Sequence, residues 1–235
     1  MKKMIFDTIR NGLIVSCQAE GTDPFNTPGS VAKFAQAAVM GGAIAIRSEG
    51  LKKIERIKQV VKLPIIGLLK SQFDDGFVRI TGSFKEVEQL LGLDCDIVAI
   101  DGTFRKRESL SGPEFIHQIK NRYNCIVMAD IASVEEAMSC VEAGADCIST
   151  TLNGYTPETS SKGINISNFE LVQNLVKKIS IPIIAEGKID SPVCAKQMLA
   201  YGAWAVVVGT AITRPKVVTQ WYVNELNQFI NGEEN

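Results

Sequence analysis

The chain carries a single histidine, His117, in 235 residues. It sits within Phe115–Tyr123, beside the apolar positions of a helical stretch, and reads as an exposed helix residue. A histidine-based triad and a multi-histidine metal centre therefore both lack their ligands or base. None of the six cysteines, Cys17, Cys95, Cys125, Cys140, Cys147 and Cys194, forms a C-x-x-C pair. That argues against a zinc or redox motif, and several read as small buried hydrophobes in a reducing cytoplasm. No stretch approaches the roughly 18 apolar residues of a membrane span. Asp7 and Arg10 interrupt the apolar segment behind Met1-Lys2-Lys3, so it is not read as a signal peptide. Neither sign of charge dominates, at 25 basic against 26 acidic residues. A nucleic-acid or membrane-surface footprint is not expected from that balance. A small anionic substrate stays open, since a local basic site needs no net positive charge.

What is present is alternation. Hydrophobic residues make up 46% of the chain, enough for a sizeable core. The length suits one α/β barrel domain over 1–235. Short apolar runs recur at Gly12–Gln18, Ala43–Arg47, Pro64–Lys70, Ile97–Asp101, Cys125–Asp130, Cys147–Thr151, Pro182–Glu186 and Ala205–Gly209. Most are apolar nearly throughout, as strands buried on both faces are. Between them, Leu51, Ile54, Ile57 and Val60 repeat at helical spacing, as do Phe84, Val87, Leu90 and Leu91. Ser83 with Glu86 and Ser133 with Glu136 have capping-box spacing. Gly112-Pro113 and Ser191-Pro192 put proline at a first helical position. Gly41-Gly42, Gly144 and Gly202 are helix stops that a left-handed residue would make. Eight βα units predict a (β/α)8 TIM barrel with a short helix over Met1–Arg10 closing its bottom. An open doubly wound sheet uses the same alternation, but Gly12–Gln18 is not followed by G-x-G-x-x-G.

The polar residues fall at the ends of these runs: Gln18, Arg47, Lys70, Asp101, Asp130, Thr150-Thr151 and Glu186. In a parallel barrel those ends meet on one face, where barrel active sites lie. An ionisable group at the end of a buried strand is costly unless it is paired or used. The last two ends differ. Gly187-Lys188 and Gly209-Thr210 offer backbone N–H groups to an anion, and Arg214 follows just before Pro215 as a bidentate clamp. This is the usual phosphate position of barrels. The hydroxyl-rich loop Asn153–Ile166, with Tyr155, Thr156, Thr159, Ser160 and Ser161, lies after the sixth strand as a lid or a solvated loop.

Six segments, Gly12-Leu-Ile-Val-Ser-Cys-Gln18, Gly67-Leu-Leu-Lys70, Met128-Ala-Asp-Ile-Ala132, Thr150-Thr-Leu-Asn-Gly-Tyr-Thr156, Ile184-Ala-Glu-Gly187 and Gly209-Thr-Ala-Ile-Thr-Arg-Pro215, closely resemble N-acetylmannosamine-6-phosphate 2-epimerases. The likeness runs from about Gly12 to the last helix; its departures lie in surface helices and in Thr159–Asn165. It implies interconversion of N-acetylmannosamine 6-phosphate and N-acetylglucosamine 6-phosphate in bacterial sialic acid catabolism, without metal or organic cofactor. The family's active-site set matches Gln18, Arg47, Lys70, Asp130, Glu186 and Arg214, with no substitution.

Inverting C2 means removing and returning its proton, which is acidic only in the open-chain aldehyde. Lys70 and Glu186 are the expected acid/base pair, one for each face of C2. Arg47, as a neighbouring cation, is expected to bring Lys70 toward its working range. Gln18 and Arg47 are candidates for the aldehyde oxygen or the acetamido group, and Asp130 for a sugar hydroxyl or for orienting Lys70. Thr151 and Tyr155 complete the substrate-binding set, and Gly187, Lys188, Gly209, Thr210 and Arg214 the phosphate set. Rival readings are a Schiff-base aldolase using Lys70, a phosphometabolite-binding barrel without turnover, and an epimerase of another phosphosugar. Trp204, Trp221 and Tyr222 suggest either a homodimer patch or core packing.

Overall fold

The computed structural model describes residues 2–160 and 168–231. In chain order its strands are Leu13–Cys17 (β1), Ala45–Glu49 (β2), Ile65–Leu68 (β3), Lys70–Gln72 (β4), Val78–Ile80 (β5), Ile97–Asp101 (β6), Val127–Asp130 (β7), Cys147–Ser149 (β8), Ile183–Glu186 (β9) and Ala205–Val208 (β10). Eight of them close into a parallel barrel in the order β1-β10-β9-β8-β7-β6-β3-β2, while β4 and β5 form a separate antiparallel hairpin. The closed ring removes the open-sheet alternative. The helices are Lys2–Ile9 (α1), Pro28–Met40 (α2), Leu51–Val60 (α3), Phe84–Gly92 (α4), Gly112–Arg122 (α5), Val134–Glu142 (α6), Pro157–Ser160 (α7), Asn168–Lys178 (α8), Pro192–Ala200 (α9), Thr210–Thr213 (α10) and Pro215–Ile230 (α11). Among the described residues, no helix is long and apolar enough to cross a membrane.

The two-residue period of the strands divides the core in two. Ile14, Ala45, Ile66, Ile97, Ala99, Met128, Cys147, Ile184 and Val207 fill the barrel interior. Their neighbours Val15, Ile46, Ile65, Val98, Val127 and Ile148 face the helices and pack against Ile54, Ile57, Leu90, Phe115 and Ile119. Each fully buried isoleucine of this kind contributes about 1.5–3 kcal/mol. Capping follows the expected spacings. Ser83 Oγ accepts from Glu86 N at 3.3 Å and the Glu86 carboxylate accepts from Ser83 N at 3.1 Å. Ser133 and Glu136 repeat the exchange, both bonds at 3.2 Å. Gly42, Gly144 and Gly202 turn out of their helices at φ of 93°, 94° and 97°.

The bottom of the barrel is shut. Ile5, Phe6 and Ile9 of α1 join the interior cluster, and Trp204 Nε1 donates to Phe6 O at 2.8 Å. Trp204 therefore serves the floor, with Arg10 stacked 4.6 Å from its ring centroid. Trp221 and Tyr222 lie on α11, which buries none of its residues. The three aromatics do not form one patch.

Three differences from expectation bear on the site. β2 runs on to Glu49, so Arg47 lies inside its strand. β3 stops at Leu68, and Lys70 opens the hairpin instead of ending a barrel strand. The expected loop Asn153–Ile166 folds locally over its first part, with α7 at Pro157–Ser160, and its remainder lies outside the described residues.

Candidate active site

Counting by two along the strands carries the inner face upward from hydrocarbon to polar chemistry. Ile14 leads to Ser16 and Gln18, Ala45 to Arg47, Leu68 to Lys70, Met128 to Asp130, Cys147 to Ser149 and Thr151, Ile184 to Glu186, and Val207 to Gly209. Parallel register keeps these positions level: Ser16 pairs with Arg47, and Val207 with Glu186. Above them opens a cavity of about 990 Å³ lined by Gln18, Arg47, Lys70, Thr151, Tyr155, Glu186, Gly187, Lys188, Gly209, Thr210 and Arg214, among others.

Arg47 anchors the floor. It is 1% exposed and donates from Nη1 and Nη2 to Asp130 at 3.0 and 2.7 Å. Its Nη1 also lies 3.2 Å from Glu186 Oε2. Burial disfavours the guanidinium charge, but Asp130 and Glu186 outweigh it and hold Arg47 firmly protonated. Glu186 experiences the opposite balance. Burial pushes its carboxyl above the usual range; Arg47 pulls it down, Asp130 pushes it up, and Thr151 and Ser149 favour its charged form. The result is a buried carboxyl that holds its proton to higher pH than an ordinary glutamate. Thr151 Oγ1 lies 2.9 Å from both Asp130 Oδ1 and Glu186 Oε2.

Lys70 sits across the cavity. β3 and β9 are four places apart in the eight-membered ring, so the residue just after β3 faces the end of β9. The Lys70 ammonium is paired with Glu20, whose Oε1 also accepts from Arg214 Nη2 at 3.1 Å. Burial works against the Glu20 charge, but the two cations together lower its pKa below the usual range. Arg214 is the residue before Pro215, at the start of α11. After β9, Gly187 turns at φ 99°, a left-handed conformation that keeps a side chain out of the loop. Gly209 precedes α10 and Thr210 opens it. Lys188 Nζ lies 6.0 Å from the centre of the Tyr155 ring.

Several comparisons bear on this arrangement. Residues 31–228 match the family described as "Putative N-acetylmannosamine-6-phosphate epimerase". Two curated relatives carry the corresponding 2-epimerase name. One, from Clostridium perfringens, is 42% identical over 222 residues, covering 94% of this chain and 100% of the relative. The other, from Caldanaerobacter subterraneus subsp. tengcongensis, is 43% identical over 230 residues, covering 97% and 96%. The solved structure of the N-acetylmannosamine-6-phosphate 2-epimerase from Clostridium perfringens matches with a TM-score of 0.87 at 42% identity, over 94% of this chain and 95% of that one. The chain belongs to the N-acetylmannosamine-6-phosphate epimerase family.

For this member of the epimerase family, the expected residues divide into two groups. All but Asp130 line the cavity. Asp130 is fully buried, and its carboxylate is bonded to Arg47 and Thr151. The two cations have different anionic partners: the Arg47 guanidinium is held by Asp130 and Glu186, and the Lys70 ammonium by Glu20. Asp101, expected on the catalytic rim, instead binds Arg105 and Arg107 at 3.0 and 3.2 Å in a buried cluster beside it. Glu20, Ser149 and Arg105 were missed. Glu20 and Arg105 follow their strands in irregular segments without periodic signal, and Ser149 reads as an ordinary small strand residue. His117 is exposed on α5, facing Asn121 at 3.0 Å. All six cysteines are free, and burial pushes the thiols of Cys17 and Cys95 up to about 12, far from a reactive thiolate.

Proposed function

We propose that this chain interconverts N-acetylmannosamine 6-phosphate and N-acetylglucosamine 6-phosphate by moving a proton off and onto C2, as the names of its relatives indicate. The observation that carries the mechanism is the opposition of Lys70 and Glu186 across one cavity whose floor is a buried guanidinium. In the open-chain sugar the C2 proton is acidified by the C1 aldehyde. One of the pair removes that proton from one face, leaving an enolate whose charge rests on the C1 oxygen. The other, holding a proton, delivers it to the opposite face. Each group ends in the other protonation state, and exchange with water resets both. Gln18, Thr151 and Tyr155 line the sugar, and Arg47 and Asp130 fix the Glu186 carboxyl. Gly187, Lys188, Gly209, Thr210 and Arg214 take the 6-phosphate, with Arg214 leaving Glu20 for the incoming anion.

The test is conversion of N-acetylmannosamine 6-phosphate in deuterium oxide followed by proton NMR. Product labelled at C2 supports the route. Lys70→Ala and Glu186→Ala, with folding checked by circular dichroism, are each expected to lose about 10²–10⁴-fold in kcat. If both variants keep near wild-type rates, the acid/base assignment is wrong. Borohydride trapping with a carbonyl substrate distinguishes a Schiff-base aldolase.

The same reading extends to setting. The unpaired cysteines suit a reducing cytoplasm, and one barrel over the whole chain carries the activity. The apolar face of α11, with Tyr222, Leu226 and Phe229 exposed, suits contact between two copies. Light scattering that gives the mass of one chain at micromolar concentration would remove the homodimer.

A further inference from the structure

We infer that the wall of the cavity made by the β4–β5 hairpin and Arg105 is the N-acyl subsite: Phe77 and Val78 receive the acyl chain, and Arg105 donates to its carbonyl oxygen. This rests on the proposed reaction and adds the residues that choose the acyl group.

The argument begins with the shape of the substrate class. In a hexosamine 6-phosphate the phosphate and the acylamino group sit at opposite ends of the carbon chain. The phosphate loops follow β9 and β10. Directly across the ring from these strands lie β3 and β6, which are hydrogen-bonded neighbours. β3 is followed by the hairpin and β6 by the segment that carries Arg105. A sugar with its phosphate at one wall and C2 over the floor therefore directs its acylamino group to the other.

That wall has the right chemistry. Gly76, Phe77, Val78, Ile80 and Arg105 all line the cavity. Phe77 and Val78 are 43% and 44% exposed, an apolar pair lining the cavity from a hairpin whose turn is tied by the Arg79–Asp75 ion pair. Arg105 donates from Nε to Thr103 Oγ1 at 3.1 Å and from Nη2 to Asp101 Oδ2 at 3.0 Å. Its Nη1 has no partner among the described residues. The guanidinium is thus held in place with a donor to spare. Arg47, the other cation expected near the acetamido group, has both terminal nitrogens committed to Met128, Asp130 and Glu186. Gln18 spends Nε2 on Ser16 Oγ at 2.8 Å, leaving its amide oxygen to accept from the acylamino N–H.

The experiment compares kcat/KM for the N-acetyl, N-glycolyl and N-propanoyl forms of mannosamine 6-phosphate in wild type, Phe77→Ala, Val78→Ala and Arg105→Met. One methylene in an apolar pocket is worth roughly 10–200-fold in discrimination. Phe77→Ala is expected to cut turnover of the N-acetyl form about 10-fold and to shift preference toward the N-propanoyl form. Arg105→Met is expected to lower kcat/KM for every acyl form alike while leaving inhibition by inorganic phosphate unchanged. Phe77 and Val78 are half-exposed, so their variants report even if Arg105→Met fails to fold. Acyl preferences identical to wild type in both hairpin variants overturn the subsite while leaving the reaction intact. A wild-type chain that epimerises none of the three sugars overturns both.

Discussion

Arg47 grips Asp130 with two parallel bonds inside the barrel, at 3.0 and 2.7 Å, where neither side chain meets solvent. Removing one partner of such a pair leaves a charge without its counterion and costs about 3–5 kcal/mol. Arg47 retains Glu186 at 3.2 Å, so Asp130→Asn should fall at the low end of that range. The substitution also removes an anion that pushes the Glu186 carboxyl upward. Urea unfolding is expected to show the loss of stability. The acidic limb of the kcat/KM profile should move to lower pH.

The opposite shift is available from Thr151. Its hydroxyl favours the charged form of Glu186, and Thr151→Val takes that support away. The Glu186 carboxyl should then hold its proton to still higher pH, and the acidic limb should move up. Since burial raises the folded value, the stability tied to this proton is present below the ordinary carboxylate range. It is lost as pH rises through the raised value. Paired pH profiles of Thr151→Val and Asp130→Asn that move the same way would contradict the assignment of this limb to Glu186.

Glu20 touches both Lys70 and Arg214. An anion that binds Arg214 must displace it. Glu20→Gln is therefore expected to tighten competitive inhibition by inorganic phosphate by about 10-fold, or roughly 1.4 kcal/mol. The pairing lowers the Glu20 pKa, so its contribution to stability holds above the ordinary carboxylate range and fades as pH falls through the lowered value. Inhibition constants for phosphate unchanged by the substitution would show that the two anions do not share Arg214.

Gly112 supports the segment bearing Arg105 from behind. A Cβ built there would meet Gly102 C and Thr103 O at 2.5 Å and Asp101 O at 2.8 Å, all main-chain atoms. Backbone cannot swing aside as a long side chain does. Gly112→Ala should cost about 2–3 kcal/mol and lower Tm by roughly 5–10 °C, measured by differential scanning calorimetry.

The barrel was legible because its strands are buried on both faces, so runs such as Ile97–Asp101 and Ala205–Val208 stand out without alternation. The inward polar residues were legible for the same reason: Arg47 and Glu186 interrupt hydrocarbon. Which of them pair with one another was not. Asp130 is 83 residues from Arg47, and spacing in the chain carries no sign of that contact. The hairpin was missed because Ser71–Phe77 is mostly polar and offers no period of two over enough residues. Gly112 was read as a helix start beside Pro113. Its close approach to the backbone at Gly102 and Thr103 depends on where β6 delivers that segment.

The plug formed by α1 closes the barrel beneath the reaction chamber, whose described lining lies at the strand ends. Both epimers carry the same phosphate and compete for that one chamber, so accumulating product is expected to slow the forward reaction. The direction of net traffic is left to the relative abundance of the two sugars outside.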